Sequence, residues 1–166
     1  MPSSEQTTTL NPEQILPALP GAPAPAGLKP LFRGVWRLAP TLMLPGTPLG
    51  TRVIVEFTDG LIQGRGVTAR LKGAGADWFT VDREGLGTLD WRGRVVTDDG
   101  DDIYVYGSGR LDTTNRDILM NYGACLFETS ADHLRWLNKL QGVYRGQTIR
   151  QAATGAIYHD EFFELV

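Results

Sequence analysis

Hydrophobic and polar residues alternate along several short segments of this chain, which is the pattern of β-strands with one buried face. The clearest example begins at Leu89. There Leu89 and Trp91 fall on one side of the strand, while Asp90, Arg92 and Arg94 fall on the other. The charged side of such a strand either faces water or lines a polar cavity inside a closed sheet.

Strand-like segments recur along most of the chain and are separated by Gly, Pro, Asp or Asn. They cover residues 31–38, 52–58, 61–71, 78–81, 88–97, 103–106, 120–127 and 156–165. Asp59-Gly60 and Asp99-Gly100 stand between neighbouring segments and favour tight hairpin turns. Glycines inside the segments, such as Gly64 and Gly93, indicate bulges that let a sheet curl closed. We therefore predict an all-β fold, a single antiparallel β-barrel with a central cavity.

Two regions depart from the strand pattern. Leucines recur at helical spacing between residues 130 and 140, which predicts one short helix near 130–140 that plugs or covers the barrel. Residues 1–29 are rich in Pro, Ala, Thr and Ser without a sustained period, which is typical of a flexible N-terminal extension. The barrel domain is accordingly predicted to span residues 30–166.

The composition narrows the classes of function. A chain of 166 residues, with 20 glycines and 10 prolines, fits one domain of short strands and many turns. Its formal net charge of −3 offers no basic surface for a run of phosphates, so we expect no nucleic-acid partner. No segment has the length of a signal peptide or a membrane span, so a cytoplasmic protein without a membrane partner is expected.

Cysteine and histidine are scarce. Cys125 is the only cysteine in the sequence, so an internal disulfide framework is excluded. His133 and His159 are the only imidazoles, so one chain cannot build a three-histidine metal site. We predict no metal and no other cofactor.

Asp77 is the first candidate for chemistry. It follows a glycine-rich run and directly precedes Trp78, with Phe79 and Val81 on its own side of the strand. An Asp in such a place commonly makes a turn hydrogen bond. In an apolar pocket, however, desolvation would raise its pKa toward that of a useful general base. Both interpretations stay open from the sequence.

Charged and phenolic residues on neighbouring segments are further candidates. Asp90 and Arg92 either form a solvated ion pair of little energetic value or face the lumen, where they would bind a carbonyl or carboxylate. Tyr104 and Tyr106 share one face of their strand, and Tyr122 is a third phenol. These rings either pack with their hydroxyls at a rim or converge on a cavity and donate hydrogen bonds to a developing oxyanion.

Several motifs occur in an order that resembles one family. They are Pro30-Leu31-Phe32-Arg33, Pro48-x-Gly50-x-Arg52, Gly75-Ala76-Asp77-Trp78, Leu89-Asp90-x-Arg92, Thr97-Asp98-Asp99-Gly100, Ile103-Tyr104, Phe127-Glu128-Thr129 and Trp136-Leu137-Asn138. From Pro30 to the C-terminus the chain is similar to domain of unknown function 3237 (DUF3237), small proteins with an allene-oxide-cyclase-like β-barrel. The resemblance implies an antiparallel barrel that often self-associates, so a homo-oligomer is expected. It also implies positions around the cavity for Asp77, Trp78, Asp90, Arg92, Tyr104, Trp136 and Asn138.

These expectations combine into one leading hypothesis. A cofactor-independent enzyme of the lyase or isomerase type binds a small apolar or aromatic carbonyl compound in the barrel. It catalyses acid/base chemistry (isomerisation, cyclisation, hydration or elimination) in catabolic or specialised metabolism. Asp77 is the predicted general base or acid, and Arg92 and Tyr104 are predicted to stabilise the oxyanion. The predicted substrate contacts are Trp78, Asp90, Tyr122, Trp136 and Asn138.

The alternative hypothesis is a non-catalytic carrier of a hydrophobic small molecule. A carrier uses the same cavity, because a binding pocket needs only apolar walls and a few polar anchors. The two hypotheses differ in the role of Asp77, which an enzyme needs for turnover and a carrier does not need for binding.

Overall fold

The computed structural model describes residues 13, 16–18, 25–115, 117–151 and 155–166. Within them the strands are β1 (Leu28–Leu38), β2 (Leu42–Thr47), β3 (Gly50–Gly64), β4 (Val67–Val81), β5 (Leu86–Thr97), β6 (Asp102–Asp112), β7 (Ile118–Glu128), β8 (Gly142–Gln151) and β9 (Gly155–Leu165). Short 3-10 helices span Leu16–Ala18, Asp132–Leu134 and Leu137–Lys139.

Eight of the described strands close into an antiparallel barrel. Hydrogen bonding runs in the order β1-β9-β8-β7-β6-β5-β4-β3, and a further pairing between β1 and β3 closes the ring. β1 pairs with the second half of β3, up to Leu38 opposite Phe57, whereas β2 pairs with the first half. The barrel wall is therefore continued at one end by β2. The predicted all-β class and the single antiparallel barrel are confirmed.

Side chains alternate between the lumen and the outer surface along each strand, as the pleat of a strand requires. In β5, Leu89 and Trp91 are buried, while Asp90, Arg92 and Arg94 are exposed. The amphipathic pattern seen in the sequence is thus the pattern of a barrel wall, with its apolar side turned inward.

One predicted turn is confirmed and one is wrong. Asp99-Gly100 lies between β5 and β6, with Gly100 at a φ of 92°. Asp59-Gly60 lies instead inside β3, where Gly60 pairs with Trp36 of β1. The turn that ends β3 is made by Arg65-Gly66, both of which have positive φ. Gly60 is needed inside the strand because the Trp36 ring occupies the place of a side chain there.

The segment between β7 and β8 closes one end of the barrel. The predicted short helix near 130–140 is present as two successive 3-10 helices, and they place Leu134 and Leu137 in the buried core. The second of them packs against β7. Within the described residues no helix combines the length and the apolar character needed to cross a membrane.

The half of the barrel next to this plug is filled with side chains. Phe32, Val95, Ile103 and Phe127 belong to one buried cluster with Leu137. The rings of Phe32 and Phe127 meet edge to face with centroids 5.6 Å apart, which is a favourable aromatic geometry. The other half of the lumen is lined by side chains that leave an open space.

The predicted N-terminal extension, residues 1–29, lies largely outside the described residues. Its last residues belong to the barrel, since β1 begins at Leu28. Just before it, Gly27 exchanges two backbone hydrogen bonds with Val166, of 2.7 and 2.9 Å. The barrel thus starts slightly before the predicted boundary at residue 30.

We predict that Gly60→Ala destabilises the protein by about 1–3 kcal/mol, the usual cost of overpacking a core. A Cβ at this position would overlap ring atoms of Trp36, a large buried side chain that cannot swing away. Gly93→Ala is the matched control, because the nearest atoms to its added Cβ lie 3.7 and 3.8 Å away. Denaturant unfolding compares the two variants, and equal destabilisation would contradict the prediction.

Candidate active site

A cavity of about 470 Å³ occupies the unfilled half of the barrel. Its volume is in the range of sites that hold small organic molecules. Aromatic and aliphatic side chains form most of its wall, among them Trp36, Phe57, Phe79 and Trp91. The cavity reaches the surface beside Met43 of β2, a residue that lines it and is itself exposed.

Polar side chains interrupt this apolar wall at some positions. The titratable or amide groups are Asp77, Asn121, Tyr158 and Asp160, and hydroxyl groups come from Thr41, Thr51, Thr113 and Thr148. Among the described residues that line the cavity there is no Arg, Lys or His. Two carboxyl groups therefore face an apolar space without a neighbouring cation from that lining.

β4 carries Asp77 into the cavity. Between the pairs Leu71–Val95 and Gly75–Gly93, β4 advances four residues while β5 advances two. This bulge, with Gly73 at a φ of 77°, preserves the alternation, so Asp77, like Phe79, faces the lumen. The glycine-rich run is thus a bulge inside a continuous strand.

The carboxyl group of Asp77 is prepared for proton transfer near neutral pH. Its Oδ1 accepts a hydrogen bond from the backbone N–H of Asp90, at 3.0 Å. Burial raises the pKa of Asp77 to about 7, the hydrogen bond opposes the rise, and the negative charge of Asp90 adds to it. A general base works best when its pKa lies near the operating pH.

Asp160 is the second carboxyl group of the cavity, and it is only 3% exposed. Its Oδ2 accepts a hydrogen bond from the indole N–H of Trp36, at 2.9 Å. Its Oδ1 has no hydrogen-bond partner in the described part of the chain. Burial raises the pKa of Asp160 to about 7, although the neighbouring Tyr158 hydroxyl and the Trp36 indole N–H oppose the rise.

Gly146 on the neighbouring strand β8 makes room for Asp160. Gly34 of β1 and Gly146 of β8 are its register partners. A Cβ on Gly146 would collide with Asp160 Oδ1 and with the hydroxyl of Tyr158, so these two oxygens share the space above that glycine. The Tyr158 hydroxyl donates to Asn121 Oδ1 at 2.9 Å.

A buried Trp–Tyr pair connects the two carboxyl groups electrostatically. The indole N–H of Trp91 donates to the Tyr144 hydroxyl at 2.9 Å. The pKa of Tyr144 is raised above its ordinary value mainly by burial, and the charges of Asp77 and Asp160 both add to the rise. Both carboxyl groups thus lie within electrostatic reach of one hydroxyl.

Of the residues predicted for catalysis or binding, the structure brings Asp77 to the cavity. Asp90 and Arg92 lie on the outer face of β5, where they form a 2.6 Å ion pair with side chains 58% and 48% exposed. The Arg92 guanidinium covers the ring of Trp78, 5.6 Å from its centroid, also on the outside. The expectation that Asp90 and Arg92 line the lumen is wrong, because the alternation of β5 that turns Leu89 and Trp91 inward turns Asp90 and Arg92 outward. Trp78 also lies outside the lumen.

The remaining predicted residues also lie away from the cavity. Tyr104 stacks near Tyr106 on the outer face of β6, and Tyr122 on β7 is exposed. Trp136 packs against the core at the plugged end. Asn138 holds the backbone of Thr129 through two 2.9 Å hydrogen bonds, which is a structural role. None of these side chains is among the lining residues described for the cavity.

Sequence reasoning missed Asp160, Tyr158, Asn121 and Trp36. The alternation of inward and outward positions along β9 and β7 could have identified Asp160 and Asn121. Asp160 stands on the same side of its strand as Tyr158 and Phe162, and Asn121 shares a side with residues of the core. A polar residue at an inward position of an otherwise apolar strand face identifies a cavity group, provided that the faces of every strand are compared.

We predict that Asp160→Asn changes how stability depends on pH. Because the pKa is higher in the folded protein than the ordinary 3.8, the folded state retains a proton that the unfolded state loses. As the pH rises from about 4 to about 7, the free energy of unfolding of the wild type therefore decreases relative to that of the variant, by at most about 4 kcal/mol. Denaturant unfolding at several pH values measures this difference, and a difference that stays constant would contradict the prediction.

Comparison with solved structures places this barrel among known folds. A beta-barrel like protein from Acinetobacter baumannii AYE is 29% identical with a TM-score of 0.71, over 89% of this chain and 100% of that one. A conserved protein of unknown function from Rhodopseudomonas palustris is 19% identical with a TM-score of 0.75, over 87% and 100%. A structure described as an enzyme from Penicillium herquei is 19% identical with a TM-score of 0.59, over 87% and 99%. The last two likenesses show the fold alone.

Sequence comparisons give the family. A search of curated proteins found no match. The profile of the family described as "Protein of unknown function (DUF3237)" matches residues 26–159, which is most of the chain and nearly all of the barrel. The match agrees with the resemblance seen in the motifs. On this evidence the chain is a member of the DUF3237 family.

Proposed function

We propose that the protein is a cofactor-independent enzyme that binds a small apolar or aromatic carbonyl compound in the barrel and catalyses proton transfer on it. The observation that carries this proposal is the carboxyl group of Asp77, held in the wall of an apolar cavity with a pKa of about 7. A strongly perturbed titratable group in a cavity is characteristic of a catalytic site. The enzyme with this fold from Penicillium herquei supports the proposal only at the level of the fold.

The cavity wall favours a flat or compact apolar substrate. Trp36, Phe57, Phe79 and Trp91 present aromatic surfaces, on which a ring or an unsaturated chain can pack. A carbonyl group makes the neighbouring C–H bonds acidic enough for a carboxylate base to remove a proton. Apolar walls and one poised base together fit carbonyl chemistry that proceeds through an enol.

Asp77 takes the proton from the carbon next to the carbonyl group. The backbone N–H of Asp90 fixes one oxygen of the carboxyl group, so the other is oriented for the reaction. Return of the proton from Asp77 to a different carbon of the enolate isomerises the substrate. Departure of a leaving group from the enolate, which takes up the proton held by Asp77, completes an elimination. Neither outcome needs a group that the chain does not carry. Arg92 and Tyr104, first expected to stabilise the oxyanion, have no part in this proposal because they lie outside the barrel.

We predict that Asp77→Asn slows proton transfer by a factor of about 10² to 10⁴, the usual contribution of a positioned base. The probe is 2-tetralone, a neutral aromatic ketone, whose exchange of α-hydrogens for deuterium in D₂O is followed by proton NMR. Wild type should exchange it faster than buffer alone, and the variant should bind it while exchanging slowly.

The matched control is Asp102→Asn. Asp102 is an exposed carboxylate on β6 that pairs with Arg94 at 2.6 Å and does not belong to the cavity lining, so exchange should stay at the wild-type rate. If wild type binds 2-tetralone yet exchanges it no faster than Asp77→Asn does, the protein is a carrier and the proposed function is wrong.

A further inference from the structure

We infer that Asp160 is the acid partner of Asp77, donating the hydrogen on its Oδ1 to the carbonyl oxygen of an uncharged ketone that lies between the two groups. This inference rests on the proposed function and adds to it a second catalytic residue and a substrate class. It assigns Asp77 to the carbon side of the substrate and Asp160 to the oxygen side.

The geometry of Asp160 supports a donor with one free oxygen. Trp36 occupies Oδ2 through its indole N–H, which cannot accept a hydrogen bond in return. Oδ1 is buried and has no partner in the described part of the chain, an arrangement that costs free energy unless a ligand satisfies it. Because Trp36 holds the other oxygen, Oδ1 is the oxygen available to carry a proton and donate it.

The neighbouring side chains leave this oxygen free. The nearby Tyr158 hydroxyl donates its own hydrogen to Asn121, so it does not donate to Oδ1. Gly34 and Gly146, the register partners of Asp160, contribute no side chain at that level. A merely structural acceptor for the Trp36 indole would need one carboxyl oxygen, and it would not need a second oxygen buried without a partner in the wall of the cavity.

The surroundings keep Asp160 mostly protonated below neutral pH. Burial raises its pKa to about 7. The titratable groups that face it are Tyr158 on its own strand, Tyr144 on β8 and Cys125 on β7, and β1 contributes the uncharged Trp36. Burial is the largest cause that raises the pKa of each of these three groups above its ordinary value. All three therefore stay neutral across the range in which Asp160 titrates.

Asp77 titrates in the same range but among different neighbours. Burial raises its pKa most, and the negative charge of Asp90, on the outer face of β5, adds to the rise. Val55, the register partner of Asp77 on β3, is apolar. Asp77 and Asp160 lie on walls that are three strands apart along the shorter way round the barrel, through β3 and β1. A substrate in the lumen can thus meet the two carboxyl groups from different sides.

The proton transfer balances without a further reactant. The C–H bond next to the carbonyl breaks, and its proton goes to the Asp77 carboxylate while the electron pair forms the carbon–carbon double bond. The Oδ1–H bond of Asp160 breaks, and its proton goes to the carbonyl oxygen. The products are a neutral enol, a protonated Asp77 and an ionised Asp160. The reverse transfers restore both groups when carbon is reprotonated.

The same lining selects against charged substrates. It presents two carboxyl groups and, among its described residues, no Arg, Lys or His to neutralise an anion. A carboxylate substrate would be buried in this apolar wall without a counterion, which is strongly unfavourable. Uncharged ketones avoid this cost and satisfy Oδ1.

The first test compares three ligands on one scaffold by isothermal titration calorimetry. They are 2-tetralone, which is neutral, tetralin-2-carboxylate, which is an anion, and 2-aminotetralin, which is a cation. At pH 6 wild type should bind the ketone at least about tenfold more tightly than the anion. Ketone affinity should fall by up to about tenfold between pH 6 and pH 8 as Asp160 ionises, and should not change with pH in Asp160→Asn. Tighter binding of the amine, or equal binding of the anion, would overturn the inference.

The second test is the pH profile of deuterium exchange into 2-tetralone. Wild type should give a bell centred near pH 7, because Asp77 must be ionised and Asp160 protonated. Asp160→Asn should lose the alkaline limb and reach a plateau about tenfold or more below the wild-type maximum. A merely structural role for Asp160 would lower the rate without removing that limb.

The two tests separate this inference from the proposed function. If Asp160→Asn keeps the wild-type bell while Asp77→Asn has lost exchange, the enzyme proposal stands and the role of Asp160 is wrong. If wild type exchanges 2-tetralone no faster than Asp77→Asn, the proposed function fails, and the ligand series still decides whether Asp160 binds neutral ketones. Asp102→Asn, on the outer surface, is again the control for both measurements.

Discussion

The contact between Trp36, Gly60 and Asp160 joins the closure of the barrel to the chemistry of its cavity. Trp36 stands on β1, the strand that completes the ring by pairing with β3. Its ring fills the space that Gly60 leaves on one side, and its indole N–H holds the carboxyl group of Asp160 on the other. The strand pairing that closes the sheet therefore also fixes the orientation of a buried acid.

One half of the barrel interior is packed with side chains and the other half contains the cavity, and the two halves contribute differently to stability and function. Leu134 and Leu137 of the 3-10 helices complete a densely packed end, which supplies hydrophobic stabilisation. The open end forgoes some of that burial and places two carboxyl groups in an apolar space, where ionisation is unfavourable. Hydrophobic packing at one end of the barrel thus offsets the unfavourable burial of two carboxyl groups at the other end. Such a compensation is common at functional sites.

The sequence predicted the fold well because alternation and turn residues act locally. The barrel class, most strands, the Asp99-Gly100 turn and the helical plug follow from these local patterns. β8 was missed for a physical reason that concerns the site. Three of its inward positions carry Gly142, Gly146 and Thr148, since side chains from neighbouring strands occupy the space in front of the glycines. Tyr144, which stands between these two glycines on the inward side, does not by itself make a recognisable apolar face.

The candidate site was harder to predict than the fold because a cavity depends on which strand faces meet across the lumen. Asp77 was found because it interrupts an apolar strand next to a glycine-rich run. Arg92 and Tyr104 were placed inside because their chemistry suits an oxyanion, although the alternation of β5 turns Arg92 outward. Residue chemistry alone could not decide the direction of a side chain, whereas comparing neighbouring positions on each strand could have done so.

β2 borders the opening of the cavity and is less constrained by packing than the rest of the barrel wall. This strand is bonded to β3 and lies outside the closed ring of eight, yet Met43 reaches the lumen from it. Its neighbours Leu42 and Leu44 are exposed as well, so changes to their size or shape disturb little packing. Substitutions in β2 would therefore change which molecules enter the cavity in relatives that share this arrangement. The other residues that line the cavity and the closed ring of eight strands would stay the same while substrate preference diverges.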